Sequence, residues 1–564
     1  MNLTKISVFN SKILYLAIYF LFTSFILISS SWNVDPLHDG ATFPSAVAVA
    51  QGRTIFIDVQ NQYGLLQAII EGLAIHIFGP YLIVSRLTGS LVVLVTSILI
   101  FLCCKELANT KIALGLATIY LALTPGWNYA PMDGWPSGAG SWPNTYGVLF
   151  QLIFIYLILI QRNNNNYIIL FFCGTALAIS SFARIEFLLA GIIIFMITLG
   201  TIKKNKLKFI FGYLLVLVTV LIISSINGSL KYMYIQTVSA LFDSGDNSVS
   251  IPSIESTIKS IIVITFTSSL LIILALGKKW IAIVQLYFVL MGLNFIVYQN
   301  VQNKSGKLFS FIELVSNDTI LTIIPLLILI VAIYIGQQAV FNTLFSRHIS
   351  RNRKIIRINW PIYATCLTSF FQLHNLNYGY MYFILPIFLV ALGCIYGEKN
   401  VNESTSSIES LTKKILQNIF TALFFVSISN FMIGITSDSK KFDAPYLKHI
   451  RHHNFQNYYA INNITSFISN IPIGKTISNN CAYGLYSVNQ NGYISNSRYP
   501  WNLLSAEQLK DKYEIDNTVL ADFTLYCGDT KSILDAAKLG MSEVESFTIN
   551  QYERLTIYVK NSDK

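Results

Sequence analysis

The chain has 564 residues, of which 53% are hydrophobic and 12% charged, and its mean hydropathy is +0.55. A water-facing surface carries roughly 25–35% charged residues, so an array of soluble domains is excluded, as are a disordered chain, a collagen and a disulfide-rich secreted framework. The formal net charge of +11 comes from 39 basic and 28 acidic residues, and their placement points to membrane topology rather than to nucleic acid.

A helix crossing a bilayer needs about 20 mostly apolar residues. Thirteen segments are read as spans: 12–31, 81–103, 110–124, 146–161, 167–183, 186–201, 208–226, 258–276, 280–298, 319–341, 358–374, 380–396 and 415–434. The first has too long an apolar run for a signal peptide and lacks a small-residue cleavage site, so it is read as an anchor. With the N-terminus in the cytoplasm, the basic clusters at Lys203–Lys208, Lys278–Lys279 and Arg347–Arg357 all fall on the cytoplasmic side, as the positive-inside rule asks. An odd number of spans then puts the C-terminus outside. The expected fold is an all-α polytopic membrane protein of about 13 transmembrane helices, residues 1–434, with a small C-terminal soluble α/β domain, residues 435–564. The expected location is a bacterial inner membrane with the tail in the periplasm. Strand-like runs at 519–526 and 555–559 and helix-like runs at 505–512 and 531–539 support the α/β reading of the tail.

Cys103, Cys104, Cys173, Cys366 and Cys394 fall in apolar runs and are expected to pack as small hydrophobes. No CxxC spacing occurs, and no P-loop or dinucleotide fingerprint; the cluster His449, His452 and His453 that opens the tail could hold a metal by its spacing and is read as surface histidines. No resident cofactor is assigned, and a divalent metal is left open.

The informative stretch follows the first span: Trp32-Asn-Val-Asp35-Pro-Leu-His38-Asp39-Gly40. Two carboxylates and an imidazole lie just outside the bilayer. A small-residue helix is expected from Ala41 to Gln51, ended by Gly52, and a second, apolar helix from Leu65 to Phe78, ended by Gly79-Pro80. Neither is long enough to span, so both are expected at the membrane surface. Asp39 can be read as the cap of the helix near Ala41, and Asp35 before Pro36 as a turn residue. Alternatively, a carboxylate here can act as general base on an acceptor hydroxyl.

This order resembles the GT-C superfamily of polyprenyl-phosphate-sugar-dependent glycosyltransferases, which includes protein O-mannosyltransferases and the aminoarabinose transferases acting on lipid A. The resemblance lies in one span followed by an acidic external motif and two surface helices. It continues in Gly52-Arg-Thr-Ile-Phe56-Ile-Asp58 with Tyr63-Gly64-Leu65, and in Phe78-Gly79 with Ser85-Arg86-Leu87. Gly40 stands where many members carry Glu, and Leu65 where Pro is usual. The resemblance implies that Asp39 is the catalytic base, with Asp35 beside it as a second candidate that could equally steer a metal or an acceptor amine. His38, Asp58 and Tyr63 become candidate acceptor or loop contacts.

Other constellations keep two readings each. Arg184 and Glu186 lie at the turn between two apolar runs, where they can pair with each other or Arg184 can bind the donor phosphate. Arg86, about one turn inside the second span, can snorkel or make a second phosphate contact. His374 and Tyr378, before the twelfth span, can belong to an interfacial aromatic belt or contact donor phosphate or sugar. Trp142 belongs to residues 125–145, which hold three of the seven tryptophans and suit either an interface or a sugar-binding face.

The implied function is a membrane glycosyltransferase moving a sugar from a polyprenyl-phosphate donor to a glycan, lipid or protein acceptor such as lipid A or O-antigen, with inversion. Its partners are that donor, the acceptor and the bilayer, with no nucleic acid. Two competitors are an O-antigen polymerase or ligase, whose large catalytic loop lies late in the chain, and a transporter or flippase of lipid-linked sugars, which would show repeats and midplane charges.

Overall fold

A computed structural model describes residues 3–34, 38–59, 61, 63–123, 142–163, 167–202, 204–239, 360–366, 368–369, 378–399, 432, 435, 439–452, 455–479, 484–493, 522–527, 541–550 and 553–560. The expected spans at 258–276, 280–298 and 319–341 lie outside these residues, as does nearly all of that at 415–434.

The described helices run in chain order as α1 (Leu3–Ser29), α2 (His38–Ala50), α3 (Leu65–Phe78), α4 (Leu82–Leu107), α5 (Thr110–Ala122), α6 (Pro143–Asn163), α7 (Ile168–Ser180), α8 (Ile185–Thr201), α9 (Lys206–Ile226), α10 (Ser229–Tyr234) and α11 (Tyr378–Lys399). The two surface helices of the first loop form close to where the sequence puts them. Asp39 is a first-turn residue of α2 rather than its cap, and Gly52 ends that helix with φ +77. Their neighbours Gly64 and Gly79 bound α3, and Gly79 has φ +94. Three of the described helices are long and apolar enough to cross a membrane: Leu82–Leu107, Pro143–Arg162 and Lys206–Ile226.

Helix α4 illustrates why these elements suit lipid. Leu91, Val95 and Ile98 point outward, whereas Arg86, Ser90, Thr96 and Ser97 are buried. Apolar side chains outside and polar ones inside invert the pattern of a helix on a soluble protein. Several of the buried polar side chains find partners on neighbouring helices, although the Thr96 hydroxyl has none among the described residues. Ser90 meets Ser30 at 2.6 Å, Ser97 donates to the Ala117 carbonyl, and Thr118 donates back to Leu114 one turn earlier. In hydrocarbon every such group must find a partner within the protein. Asn109 caps α5, its carbonyl oxygen accepting from the Lys111 and Ile112 amides.

Helix α4 packs on α5, α6 and α11, while α7 packs on α6, α8 and α9. Phe22, Ile100, Tyr120, Leu152, Phe154, Leu177 and Phe388 share one buried cluster. Cys103, Cys104, Cys173, Cys366 and Cys394 are all buried and form no disulfide, as expected of small hydrophobes. Alternation of direction gives the helices two distinct ends. The C-terminus of α1 and the N-termini of α4, α6 and α8 share one end; α2 and α3 pack there. The opposite end carries Lys105, Lys111, Arg162, Lys206 and Lys208.

In the C-terminal region, α12 (Phe455–Ser469) packs on a four-stranded sheet. The strands are β3 (Ile477–Asn479), β6 (Phe523–Cys527), β8 (Glu553–Lys560) and β7 (Met541–Asn550), in that spatial order. β3 runs parallel to β6, and the other two pairs are antiparallel. Ile464, Ile468, Ile477, Leu525, Leu555 and Ile557 fill the space between helix and sheet. Two short ribbons complete the region: β1 (Lys440–Lys441) with β2 (Arg451–His452), and β4 (Val488–Asn489) with β5 (Gly492–Tyr493).

Candidate functional site

Asp39 and Arg86 form a buried ion pair at the end where α1 finishes and α4 begins. The Arg86 guanidinium donates from Nη2 to Oδ2 at 2.7 Å and from Nε to Oδ1 at 3.2 Å. Arg86 is 0% exposed and Asp39 4%. Its remaining Nη1 donates to the Trp32 carbonyl at 2.7 Å and to the Ser30 carbonyl at 3.4 Å. The expected snorkelling of Arg86 does not occur, because this side chain faces α2 and the end of α1 rather than lipid. A buried guanidinium needs a carboxylate and carbonyl oxygens around it, and here both are supplied.

One residue back on α4, Ser85 donates to Glu71, which lies 0% exposed on α3. Tyr146 on α6 donates to the other Glu71 oxygen at 2.7 Å. Burial pushes the Glu71 carboxyl up to about 8, the hydrogen bonds from Ser85 and Tyr146 work against that rise, and the nearby Asp39 charge adds to it. Near neutral pH Glu71 is therefore largely a protonated acid able to return a hydrogen bond. The sequence signal for Glu71 was the single carboxylate of a 14-residue helix whose other polar side chains are Gln67 and His76.

The second group gathers around Arg184. Its Nη2 and Nε donate to Glu186 at 2.9 and 3.1 Å, and its Nη1 donates to the Asn144 side-chain oxygen at 3.0 Å. The guanidinium carbon lies 5.1 Å from the centre of the Tyr63 ring, and that ring meets Trp142 edge to face at 5.8 Å. The mutual ion pair read from the sequence is present, and Tyr63 and Trp142 join it. Asn61 shapes the turn that presents Tyr63: its side chain accepts from the Tyr63 amide at 2.9 Å and donates to the Gly64 carbonyl at 3.1 Å. The Gly64 amide donates to the Ala183 carbonyl at 2.8 Å. A Cβ at Gly64 would run into the Phe182 carbonyl oxygen, so glycine is what allows this approach.

Asp58 stands apart. It is exposed, accepts from the Thr54 amide at 2.7 Å and closes its own turn. Asp35 and His374 lie outside the described residues. His38 and Tyr378 begin α2 and α11, and their side chains lie outside the description. Among the described residues no group of three or more His, Cys, Asp or Glu could hold a metal.

Beside the ion pair sits the C-terminal region. Trp32 pairs with Arg451 in a parallel bridge. The Asn33 amide donates to the Arg451 carbonyl at 2.7 Å, and the Arg451 amide donates to the Ser31 carbonyl at 2.7 Å. Val34, Phe43, Ala46 and Val47 share a buried cluster with Phe442, Tyr446, Leu447, Ile450 and Leu485.

Fold and composition together define a helical membrane protein. No protein-family model matches the chain, and no curated protein sequence matches it. Among solved structures it is similar to ArnT from Cupriavidus metallidurans in the apo state, with a TM-score of 0.46 and 10% identity over 98% of each chain. The same protein bound to undecaprenyl phosphate gives a TM-score of 0.42 at 11% identity over 97% of this chain and 98% of that one. The Archaeoglobus fulgidus oligosaccharyltransferase, tethered to an acceptor peptide containing the NVT sequon, gives 0.42 at 10% identity over 84% of this chain and 62% of its own. At these scores and identities the likeness assigns no residue and no activity.

Proposed function

We propose that the chain is an integral membrane glycosyltransferase of the GT-C kind, transferring a sugar from a polyprenyl-phosphate donor to an acceptor on the outer side of a bacterial inner membrane. The observation that carries this reading is the joining of two polar groups at one end of the helices. Arg86 holds Asp39, its neighbour Ser85 holds Glu71, Tyr146 bonds Glu71, and Asn144, two residues before Tyr146, bonds Arg184. A carboxylate suited to be a base and a guanidinium suited to phosphate thus share one connected polar layer. The basic residues at the opposite end support an external location for that layer. They also support a cytoplasmic N-terminus and, with about 13 spans, a periplasmic C-terminal α/β domain.

In this mechanism Asp39 accepts the proton of the acceptor hydroxyl. The freed oxygen attacks C1 of the sugar, the bond from C1 to the phosphate oxygen breaks, and its electron pair leaves with polyprenyl phosphate. Attack opposite the leaving group inverts the anomeric centre. Arg86 fixes the orientation of the carboxylate. Arg184 meets the departing phosphate, and Asn144 is the neutral partner that a phosphate oxygen replaces while Glu186 stays paired. Tyr63 and Trp142 offer aromatic faces to the sugar. Asp35, His38, His374 and Tyr378 remain assigned as flanking contacts to acceptor or donor.

The test is mass spectrometry of surface glycans from wild type, a deletion strain, and the deletion strain carrying Asp39→Asn at matched membrane levels. Loss of the same sugar mass in the last two supports transfer through Asp39 and identifies the acceptor. Full restoration by Asp39→Asn removes the base role and favours movement of a lipid-linked sugar instead.

A further inference from the structure

We propose that the C-terminal segment 440–452 is a positioning element for Asp39, so that the outer region is a working part of the membrane site rather than a cover over it. This rests on the glycosyl-transfer reading of Asp39.

A chain of contacts links the segment to Asp39. Arg451 exchanges two backbone hydrogen bonds of 2.7 Å with the residues on either side of Trp32, one to the Ser31 carbonyl and one from the Asn33 amide. The segment between those two bonds is the one whose Trp32 carbonyl accepts from Arg86 Nη1 at 2.7 Å. The other arm of Arg86 forks onto Asp39. Asn33 has φ +52, a left-handed conformation that asparagine adopts more readily than other non-glycine residues, and its amide is the donor to Arg451.

A second contact reaches Asp39 from its own helix. The face of α2 formed by Phe43, Ala46 and Val47 is buried with Phe442, Tyr446, Leu447 and Ile450. From the end of α2, Gln51 donates to the Asn491 carbonyl at 3.0 Å. The segment therefore reaches both sides of the ion pair: by hydrogen bonds it holds the strand whose carbonyl steadies Arg86, and it shares a buried cluster with the helix that carries Asp39, while Gln51 ties that helix to the neighbouring β4–β5 ribbon. Helix α2 alone, 13 residues long, is about the length at which isolated helices are marginal in water, so its position depends on what packs on it. Lys448 over the Tyr81 ring at 5.2 Å, and His449 against the same ring at 6.1 Å, tie the segment to the start of α4 as well.

The Arg451 contact runs through the backbone, which permits a sharp test on the purified full-length chain in detergent. Arg451→Pro removes the amide donor to Ser31, whereas Arg451→Ala keeps it and removes only an exposed side chain. Three quantities are measured: deuterium uptake over 29–50, binding of undecaprenyl phosphate, and sugar mass restored to the deletion strain. Arg451→Pro is expected to raise uptake over 29–50 about tenfold and to lower product about tenfold, in line with one lost hydrogen bond at a buried site. It should leave undecaprenyl phosphate binding unchanged, which general loss of structure would not. Arg451→Ala is expected to match wild type in all three. If Arg451→Pro does not accumulate, Ile450→Ala, which thins the apolar cluster shared with α2 and keeps both backbone bonds, should give the same pattern at smaller amplitude. Wild-type uptake over 29–50 in the variant, full product despite raised uptake, or loss of binding in parallel with product would each overturn the proposal. If wild-type chain adds no sugar mass at all, the transfer reading fails, while the exchange data still decide whether 440–452 holds the Asp39 helix.

Discussion

Ser85 and Arg86 are adjacent on α4 and hold different carboxylates: Ser85 donates to Glu71 on α3, and Arg86 forks onto Asp39 on α2. One turn of a long apolar helix thereby fixes both helices of the first loop. The two acids end up in opposite conditions. Asp39 faces the Arg86 guanidinium. Glu71 takes the Ser85 and Tyr146 hydroxyls and sits in a fully buried place, which favours its neutral form.

The Asp39–Arg86 pair should behave as a unit. Arg86→Met leaves a buried carboxylate without its cation and is expected to cost about 3–5 kcal/mol. Asp39→Asn should cost less, because the Trp32 and Ser30 carbonyls still accept from Arg86. The double variant should lose less than the sum of the two. Thermal unfolding of the four purified chains checks this; additive losses would mean the pair is not coupled.

Glu71 predicts a pH dependence of known sign. Its folded-state carboxyl lies at about 8 against an ordinary value of 4.5, so between these pH values the folded state binds more protons than the unfolded one. Its contribution to stability is present in full below about pH 4.5, falls as pH rises, and is gone above about pH 8. Glu71→Gln keeps a donor and an acceptor in place and should remove that slope, which is on the order of a few kcal/mol across the range. Unfolding of both chains at several pH values decides it; identical slopes would mean that Glu71 does not titrate there.

Arg184 and Tyr63 should matter more for ligand than for stability. Arg184 is 12% exposed and its partner Glu186 7%, so the pair is less deeply enclosed than Asp39–Arg86. Arg184→Lys loses the planar fork to Glu186 and the stacking on Tyr63. Binding of undecaprenyl phosphate to the purified chain is expected to weaken about tenfold, and Tyr63→Leu should give a smaller loss in the same direction. Unchanged binding in both would remove the phosphate role.

Gly64→Ala should separate these two residues. The added methyl meets the Phe182 carbonyl oxygen, a backbone atom that cannot swing aside, so the Tyr63 turn must move away from Arg184. A loss of about 1–3 kcal/mol is expected, together with weakened undecaprenyl phosphate binding. Gly52→Ala is the contrasting control: no atom lies near its added methyl, and only its φ of +77 resists the change.

Much of the local structure was legible because its signals are local. Gly52 and Gly79 marked the ends of α2 and α3, and apolar runs marked α4 and the helices from α5 to α9 within a few residues. The tail was harder. The strands at Phe523–Cys527 and Glu553–Lys560 could be read approximately from β-branched and aromatic runs, whereas α12 and β7 could not, since Phe455–Ser469 mixes Asn, Tyr and Ile and Met541–Asn550 carries two glutamates. Their assignment depends on packing against the sheet and not on their own composition.

At the site, the sequence by itself determined which residue types were present and which carried a price in an apolar setting: Asp39, Arg86, Arg184 and Glu186 all stood out as charges beside hydrocarbon. It offered the pairing of Arg184 with Glu186 as one of two readings, because two residues apart at a helix start is a local relationship. Only the tertiary structure decided that Arg86 belongs to Asp39, 47 residues away, that Glu71 closes the gap between α4 and α6, and that Arg451 steadies Trp32 from the far end of the chain. Hydropathy records how much a side chain gains by leaving water. It does not record which helices meet, and a buried charge takes its partner from whichever helix packing brings within about 3 Å.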